Sequence, residues 1–139
     1  MLITTSLVLT SCDKDFGDLN VDKKRPANVE PGALFTNAQK ELVDQITTPN
    51  VNSNIFRYIS QYWTETTYID EVNYDLPGRN IPQNFWNTIY TGVLKNLDEA
   101  NRLVPGQNET LFPPAVKTNQ MAAIEILNVY TYAVLVNTF

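Results

Sequence analysis

Residues 82–104, PQNFWNTIYTGVLKNLDEANRLV, decide the fold class. Trp86, Ile89, Val93, Leu97, Ala100 and Leu103 recur at steps of three and four, the period of one face of a helix. Pro82 suits a first helical turn, and Pro105-Gly106 cannot carry the helix further. The pattern predicts one long amphipathic helix that buries a single stripe.

Upstream of that helix, residues 66–80, TTYIDEVNYDLPGRN, lose the helical period. They mix β-branched, aromatic and acidic types and contain the turn signal Leu76-Pro77-Gly78, so a loop with a little extended structure is expected. Before it, Ile55, Phe56, Ile59, Tyr62 and Trp63 predict a helix over 52–65, capped by Asn52 or Ser53. Trp63 and Trp86 both fall on helical stripes and are expected in the core. Earlier still, Leu34, Ala38, Leu42 and Ile46, with Phe35 alongside, predict a helix over 31–47 that opens on Pro31 and ends at Thr48-Pro49-Asn50.

Downstream, Pro113-Pro114 opens a last helix. Val116, Ala123, Ile124, Leu127, Tyr130 and Val134 line one side of it, and Ala122, Ile126, Tyr132 and Leu135 widen that side. A helix apolar over so much of its circumference expects neighbours on more than one flank. The apolar pattern runs through Val136 and Phe139 without a capping residue, so residues 31–139 are expected to be an incomplete helical domain. The fold class is therefore all-α, built as helical hairpins.

Composition narrows the function. The 139 residues are 43% hydrophobic and only 18% charged, a balance that folds rather than stays disordered. A net charge of −5 and a single basic run, Lys23-Lys24-Arg25, speak against a nucleic-acid partner, which requires clustered Lys and Arg. One cysteine, Cys12, allows no internal disulfide. The absence of histidine removes His-ligated zinc and His-based triads from these residues. Asp70, Glu71 and Asp75 could in principle offer oxygens to Ca²⁺, but their spacing fits no EF-hand loop, so no metal and no cofactor are expected.

The front of the chain has its own logic. Residues 2–11, LITTSLVLTS, are uncharged and lead directly to Cys12. The run is too short to span a bilayer, which takes about 20 apolar residues. Leu9-Thr10-Ser11-Cys12 fits a lipobox, in which small residues expose the cleavage bond and the thiol receives the lipid. No Lys or Arg precedes it, so residues 1–11 read as a signal peptide shortened at its front. Residues 12–30 then read as a lipidated cysteine followed by a polar tether rich in Asp.

Several strings resemble one family. Asp15-Phe16-Gly17-Asp18-Leu19-Asn20, shortly after the lipobox, is similar to the opening of mature SusD/RagB-type proteins. Pro31-Gly32-Ala33-Leu34-Phe35-Thr36-Asn37-Ala38-Gln39, Tyr62-Trp63-Thr64-Glu65-Thr66-Thr67-Tyr68 and Arg79-Asn80-Ile81-Pro82-Gln83-Asn84-Phe85-Trp86 look like its next blocks, in order. The resemblance implies tetratricopeptide-like helices and a lipoprotein on the outer membrane that faces the cell exterior. It further implies capture of an oligosaccharide or peptide and delivery to a SusC-like TonB-dependent transporter, without catalysis.

For ligand contact, Tyr68, Asp70, Asn73 and Tyr74 are the candidates, because aromatic faces cover sugar rings and Asn or Asp take hydroxyls. The bland alternative is that the tyrosines pack the loop onto the helices. Two competing functions use the same residues or fold. A glycan hydrolase needs two carboxylates about 5–10 Å apart, for which Glu65, Asp70, Glu71 and Asp75 are available. A structural adaptor needs only the helical surface.

Overall fold

In the computed structural model, residues 28–50 and 52–139 are described. Cys12, the signal-like run and the tether as far as residue 27 lie outside the described residues. The described chain contains helices and turns and no strand. The order is α1 (Pro31–Thr47), α2 (Phe56–Ile59), α3 (Ile81–Asn87), a π-helical segment (Thr88–Leu94), α4 (Lys95–Leu103), a 3₁₀ turn (Val104–Gly106) and α5 (Pro114–Thr138).

Helix α1 forms where the periodicity placed it. Pro31 occupies the first turn, where its missing N–H has no partner to lose, and the Glu30 carbonyl accepts from Ala33 N–H at 2.9 Å. Its stripe buries Ala38 and Leu42 completely and Leu34, Phe35 and Ile46 in part.

From α3 to α4 the chain is one continuous helical rod, Ile81 to Leu103, widened in its middle. The Lys95 N–H reaches the Tyr90 carbonyl, five residues back, which is the π hydrogen bond. Gly92 contributes low helix propensity there. Thr91 Oγ1 donates to the Asn87 carbonyl at 2.7 Å and Asn96 Nδ2 to the Gly92 carbonyl at 2.6 Å, both competing with the ordinary ladder.

The widening changes which face is buried. Phe85, Ile89, Val93 and Leu97 are all in the core, each four residues from the last. In a straight α-helix, steps of four lead by about 40° each, so such a row would drift off the core. A π segment takes more residues per turn and brings the row back. The expected stripe from Trp86 is corrected accordingly: Phe85 enters the core at 3% exposure, while Trp86 stays 40% exposed and stacks on Tyr90 with ring centroids 4.5 Å apart.

The rod is the centre of the fold. Glu41 of α1 lies beside Gly92, and Pro31 and Phe35 border Val104, so α1 runs antiparallel to the rod. Helix α5 also runs antiparallel to it. Lys117 near its start donates to the Pro105 carbonyl at 2.9 Å, and Phe139 at its end meets Phe85 and Trp86 edge-on. Ile124 and Leu135 complete the core from α5, and Thr131 is buried by donating to the Leu127 carbonyl at 2.7 Å. Val116, Ile126, Tyr130 and Tyr132, expected on the covered side, are exposed, because among the described residues only one flank of α5 has a neighbour.

The helix expected over 52–65 is corrected to a single turn, α2. Asn54, rather than Asn52 or Ser53, holds its start: Oδ1 accepts from Phe56 N–H at 3.2 Å while Nδ2 donates to the Ile46 carbonyl at 2.9 Å. The turn ends because Gln61 takes φ of 59°, in the left-handed region. Gln61 N–H then bonds to the Tyr58 carbonyl and Tyr62 N–H to the Arg57 carbonyl, the pair of bonds that closes a helix in a Schellman motif. Beyond that break Trp63 leaves the helix surface and is 46% exposed, not core. Arg57 lies 4.8 Å above its ring and donates to the carbonyls of Thr47 and Thr48, placing a cation at the end of α1. The first expected hairpin therefore does not form; α1 pairs with the rod instead.

Candidate functional site

With α2 cut short, residues 60–80 fold as consecutive turns against a small second core of Ile55, Tyr58 and Ile81, covered by Val72 and Leu76. The region 66–80 is the expected loop, though without extended strand structure. Asn73 N–H bonds to the Ile69 carbonyl, Tyr74 N–H to Glu71 and Asp75 N–H to Asp70, so the acidic segment is wound tightly on itself. Tyr68 and Tyr74 both take positive φ, 57° and 60°. Each such residue costs about 1–2 kcal/mol when it is not glycine, and the surrounding bonds must hold it there.

A buried ion pair fastens this segment. Glu71 is 1% exposed, and its Oε1 lies 2.5 Å from Arg79 Nη1, a contact of ion-pair rather than hydrogen-bond geometry. Arg79 Nη2 donates to Asn52 Oδ1. Asn52 is held in turn by its own N–H on Asn50 Oδ1 at 3.0 Å. Three separate turns are thereby joined by one guanidinium. Tyr58 is buried next to this cluster. Burial pushes its phenol above the ordinary range, and the negative charges of Glu65 and Glu71 push it the same way.

Beside the clasp an open recess of ≈ 370 Å³ is lined by Asn52, Glu65, Thr67, Tyr68, Asp70 and Arg79. It is the most polar of the larger recesses in kind: two carboxylates, an amide, a hydroxyl, a phenol and a guanidinium. Glu65 lines the recess, but its Oε2 is sealed from solvent and has no hydrogen-bond partner among the described residues. Tyr68 is 85% exposed at the rim, so it does not pack the loop onto the helices.

Of the four residues expected to contact ligand, the fold brings Tyr68 and Asp70 to the recess and leaves Asn73 and Tyr74 off its lining. Asn73 is exposed elsewhere on the turn. Tyr74 is tied backwards: its hydroxyl donates to the Ile59 carbonyl and accepts from Gln61 Nε2, both at 3.2 Å. That is the packing role. Asn52, Thr67 and Arg79 line the recess although nothing in the sequence marks them as ligand contacts, and Glu65 stands in the sequence as one of four available carboxylates. No sequence period links positions 52, 65 and 79, which meet only through the turns.

A model of the family described as starch-binding, associating with the outer membrane, matches residues 23–139. The chain belongs to this SusD-like family. The match includes α1, the rod and α5, and it contains the whole recess. The resemblance read from the ordered sequence blocks is thus borne out, as is the all-α fold class. SusD-like proteins are binding proteins associated with the outer membrane, and starch is the glycan in the family's description. No curated protein and no solved structure matches the chain. Among the described residues, no group of three or more His, Cys, Asp or Glu side chains is arranged to hold a metal ion.

Proposed function

We propose that this protein is an outer-membrane lipoprotein that captures an oligosaccharide at the recess between Asn52, Glu65, Tyr68 and Asp70. It passes its ligand to a SusC-like TonB-dependent transporter. The observation that carries the reading is the family match over residues 23–139. The recess supports it chemically. An exposed phenol ring at the rim can lie against the apolar face of a sugar, while Asn52, Thr67 and Asp70 exchange hydrogen bonds with its hydroxyls. Peptide ligands are the alternative cargo of the same reading.

The anchor belongs to the proposal as well. Cys12 receives a diacylglyceryl thioether after cleavage of residues 1–11, and residues 12–30 tether the helical part to the membrane. Two or more acyl chains, at about 0.8 kcal/mol per buried methylene, make such attachment durable. The helical domain of residues 31–139 is proposed to be part of a larger SusD-like fold of tetratricopeptide-like helices.

Two measurements test this. Labelled palmitate should enter the protein in its native host and be lost on Cys12→Ser. Melting temperature should rise with at least one member of an oligosaccharide panel, by the amount that ligand in excess over its dissociation constant provides. That rise should vanish in Tyr68→Ala. A panel of glycans and peptides that leaves the melting curve unmoved overturns the binding reading.

A further inference from the structure

Resting on that reading of the recess, we infer that Tyr74, which does not line it, is its positioning residue: the phenol latches the turn that carries Asp70 onto the end of α2. Among the described residues, three that are not glycine take positive φ, Gln61 at 59°, Tyr68 at 57° and Tyr74 at 60°, while no glycine does. The left-handed region is hindered for a residue with a Cβ, so glycine is the ordinary choice there. Such conformations persist only where the surroundings over-determine them. Gln61 and Tyr74 occupy equivalent places in two turns. Gln61 N–H bonds to the Tyr58 carbonyl and Tyr62 N–H to that of Arg57; Tyr74 N–H bonds to the Glu71 carbonyl and Asp75 N–H to that of Asp70. Both are Schellman closures, and in both the usual glycine is replaced by a residue with a polar end.

Those two polar ends meet. Gln61 Nε2 donates to the Tyr74 hydroxyl, and that hydroxyl donates to the Ile59 carbonyl, both at 3.2 Å. Ile59 is the last residue of α2, and its carbonyl is one that neither Schellman bond uses. A tyrosine at this place reaches 15 residues back to a helix end that a glycine would leave to water. The second turn carries part of the recess. Asp70, whose carbonyl accepts from Asp75 N–H at 2.8 Å, lines it, and Glu71 holds Arg79, which lines it too. Tyr74 therefore acts on the lining through the backbone of Asp70 and Glu71. The phenol is half-exposed, so water competes for its hydroxyl, and the latch contributes no more than ordinary hydrogen bonds do.

The test uses the full chain with Tyr74→Phe, which keeps the hindered backbone and loses the hydroxyl, and Tyr74→Gly, which loses both. Solvent exchange of single amides is followed by NMR. Maltoheptaose is titrated by calorimetry, starch being the glycan in the family's description, with the rest of the oligosaccharide panel after it. The latch predicts that the amides of Gln61 and Tyr62, in the other turn, exchange about fivefold faster in both variants, the factor that loss of one ordinary hydrogen bond gives. Affinity for the sugar should fall about threefold in both, since it scales with the fraction of chains in the held state. Tyr74→Gly should nevertheless melt above Tyr74→Phe, because its backbone is no longer hindered. A merely structural tyrosine would make affinity follow melting temperature. Unchanged exchange at Gln61 and Tyr62, affinity unaltered in both variants, or affinity restored in Tyr74→Gly overturns the inference. If those amides quicken but no glycan of the panel binds the unaltered protein, the latch between the turns stands, and the reading of the recess falls together with the positioning role.

Discussion

Glu71 and Arg79 are eight positions apart in the chain, yet their side chains meet at 2.5 Å, with the carboxylate sealed from solvent and the guanidinium about one-third exposed. No other ion pair among the described residues has a buried member. Lys40–Asp44 and Arg102–Glu99 are exposed neighbours on single helices, worth little beyond their helix. The irregular stretch between α2 and α3 has no ladder of helix bonds to hold it; its local turn bonds, its small apolar core and this one ion pair, which ties Arg79 back to the acidic turn, set the wall of the recess.

Removing half of such a pair is worse than removing both. Arg79→Met leaves Glu71 charged and buried and should destabilise by about 3 kcal/mol. Glu71→Leu with Arg79→Met leaves no stranded charge and should recover most of that loss. Urea unfolding of the two single variants and the double variant gives the coupling directly. Additive losses across the cycle would show that the contact contributes nothing of its own.

The Tyr58 phenol predicts a loss of stability in alkali. Its pKa is raised in the folded protein, chiefly by burial and then by Glu65 and Glu71. Below about pH 10 the phenol is neutral in both the folded and unfolded states. Above that value the unfolded chain ionises first, so stability falls as pH rises toward the raised folded value. Melting temperature followed from pH 8 to 11 (about the span in which tyrosines titrate) should fall less in Tyr58→Phe than in the unaltered protein. Parallel curves would mean that the phenol ionises as freely inside as outside.

The regular helices were legible because periodicity reports burial directly. Leu34, Ala38, Leu42 and Ile46 gave α1 its bounds, and Pro105-Gly106 gave the rod its end. The register of the rod was not legible, since the row Phe85, Ile89, Val93 and Leu97 competes in the sequence with the stripe that starts at Trp86, and the π segment at Thr88–Leu94 that selects the first depends on where carbonyls find competing donors. That is why Phe85 and not Trp86 is inside. Helix α2 failed for a related reason: one glutamine at positive φ ends it, and glutamine announces nothing of the kind as glycine would. The site was half legible. Tyr68 and Asp70 could be chosen by residue type within one loop, whereas Asn52 and Arg79 arrive from segments 27 residues apart.

Core and surface on neighbouring helices should respond very differently. Leu97 of α4 is 1% exposed between α1 and α5, and Leu97→Ala should lower stability by about 2–5 kcal/mol through lost burial and the cavity left behind. Ile126 of α5 is 71% exposed, so Ile126→Ala should change stability by less than about 0.5 kcal/mol. Guanidinium unfolding measures both. A large loss at Ile126 would mean that the outer face of α5 is covered in solution.

Gly92 offers the sharpest test of the rod's packing. It sits in the π segment facing α1, and an added methyl group would meet Glu41 Cγ at 3.5 Å and Glu41 Cβ at 3.6 Å, ordinary contact distances. Two effects then favour alanine. The unfolded chain loses conformational freedom, and a helical interior prefers alanine, together worth about 0.5–1 kcal/mol. Against them stands the possibility that the wide turn needs the flexibility of glycine, yet Gly92 does not take positive φ, so no backbone strain opposes the change. Gly92→Ala should therefore raise the melting temperature by several degrees, while Gly92→Leu should lower it, because the longer side chain would have to displace Glu41 and part α1 from the rod. A loss of stability in Gly92→Ala would mean that the segment tightens into an ordinary α-helix when glycine is removed, rotating Phe85 out of the core.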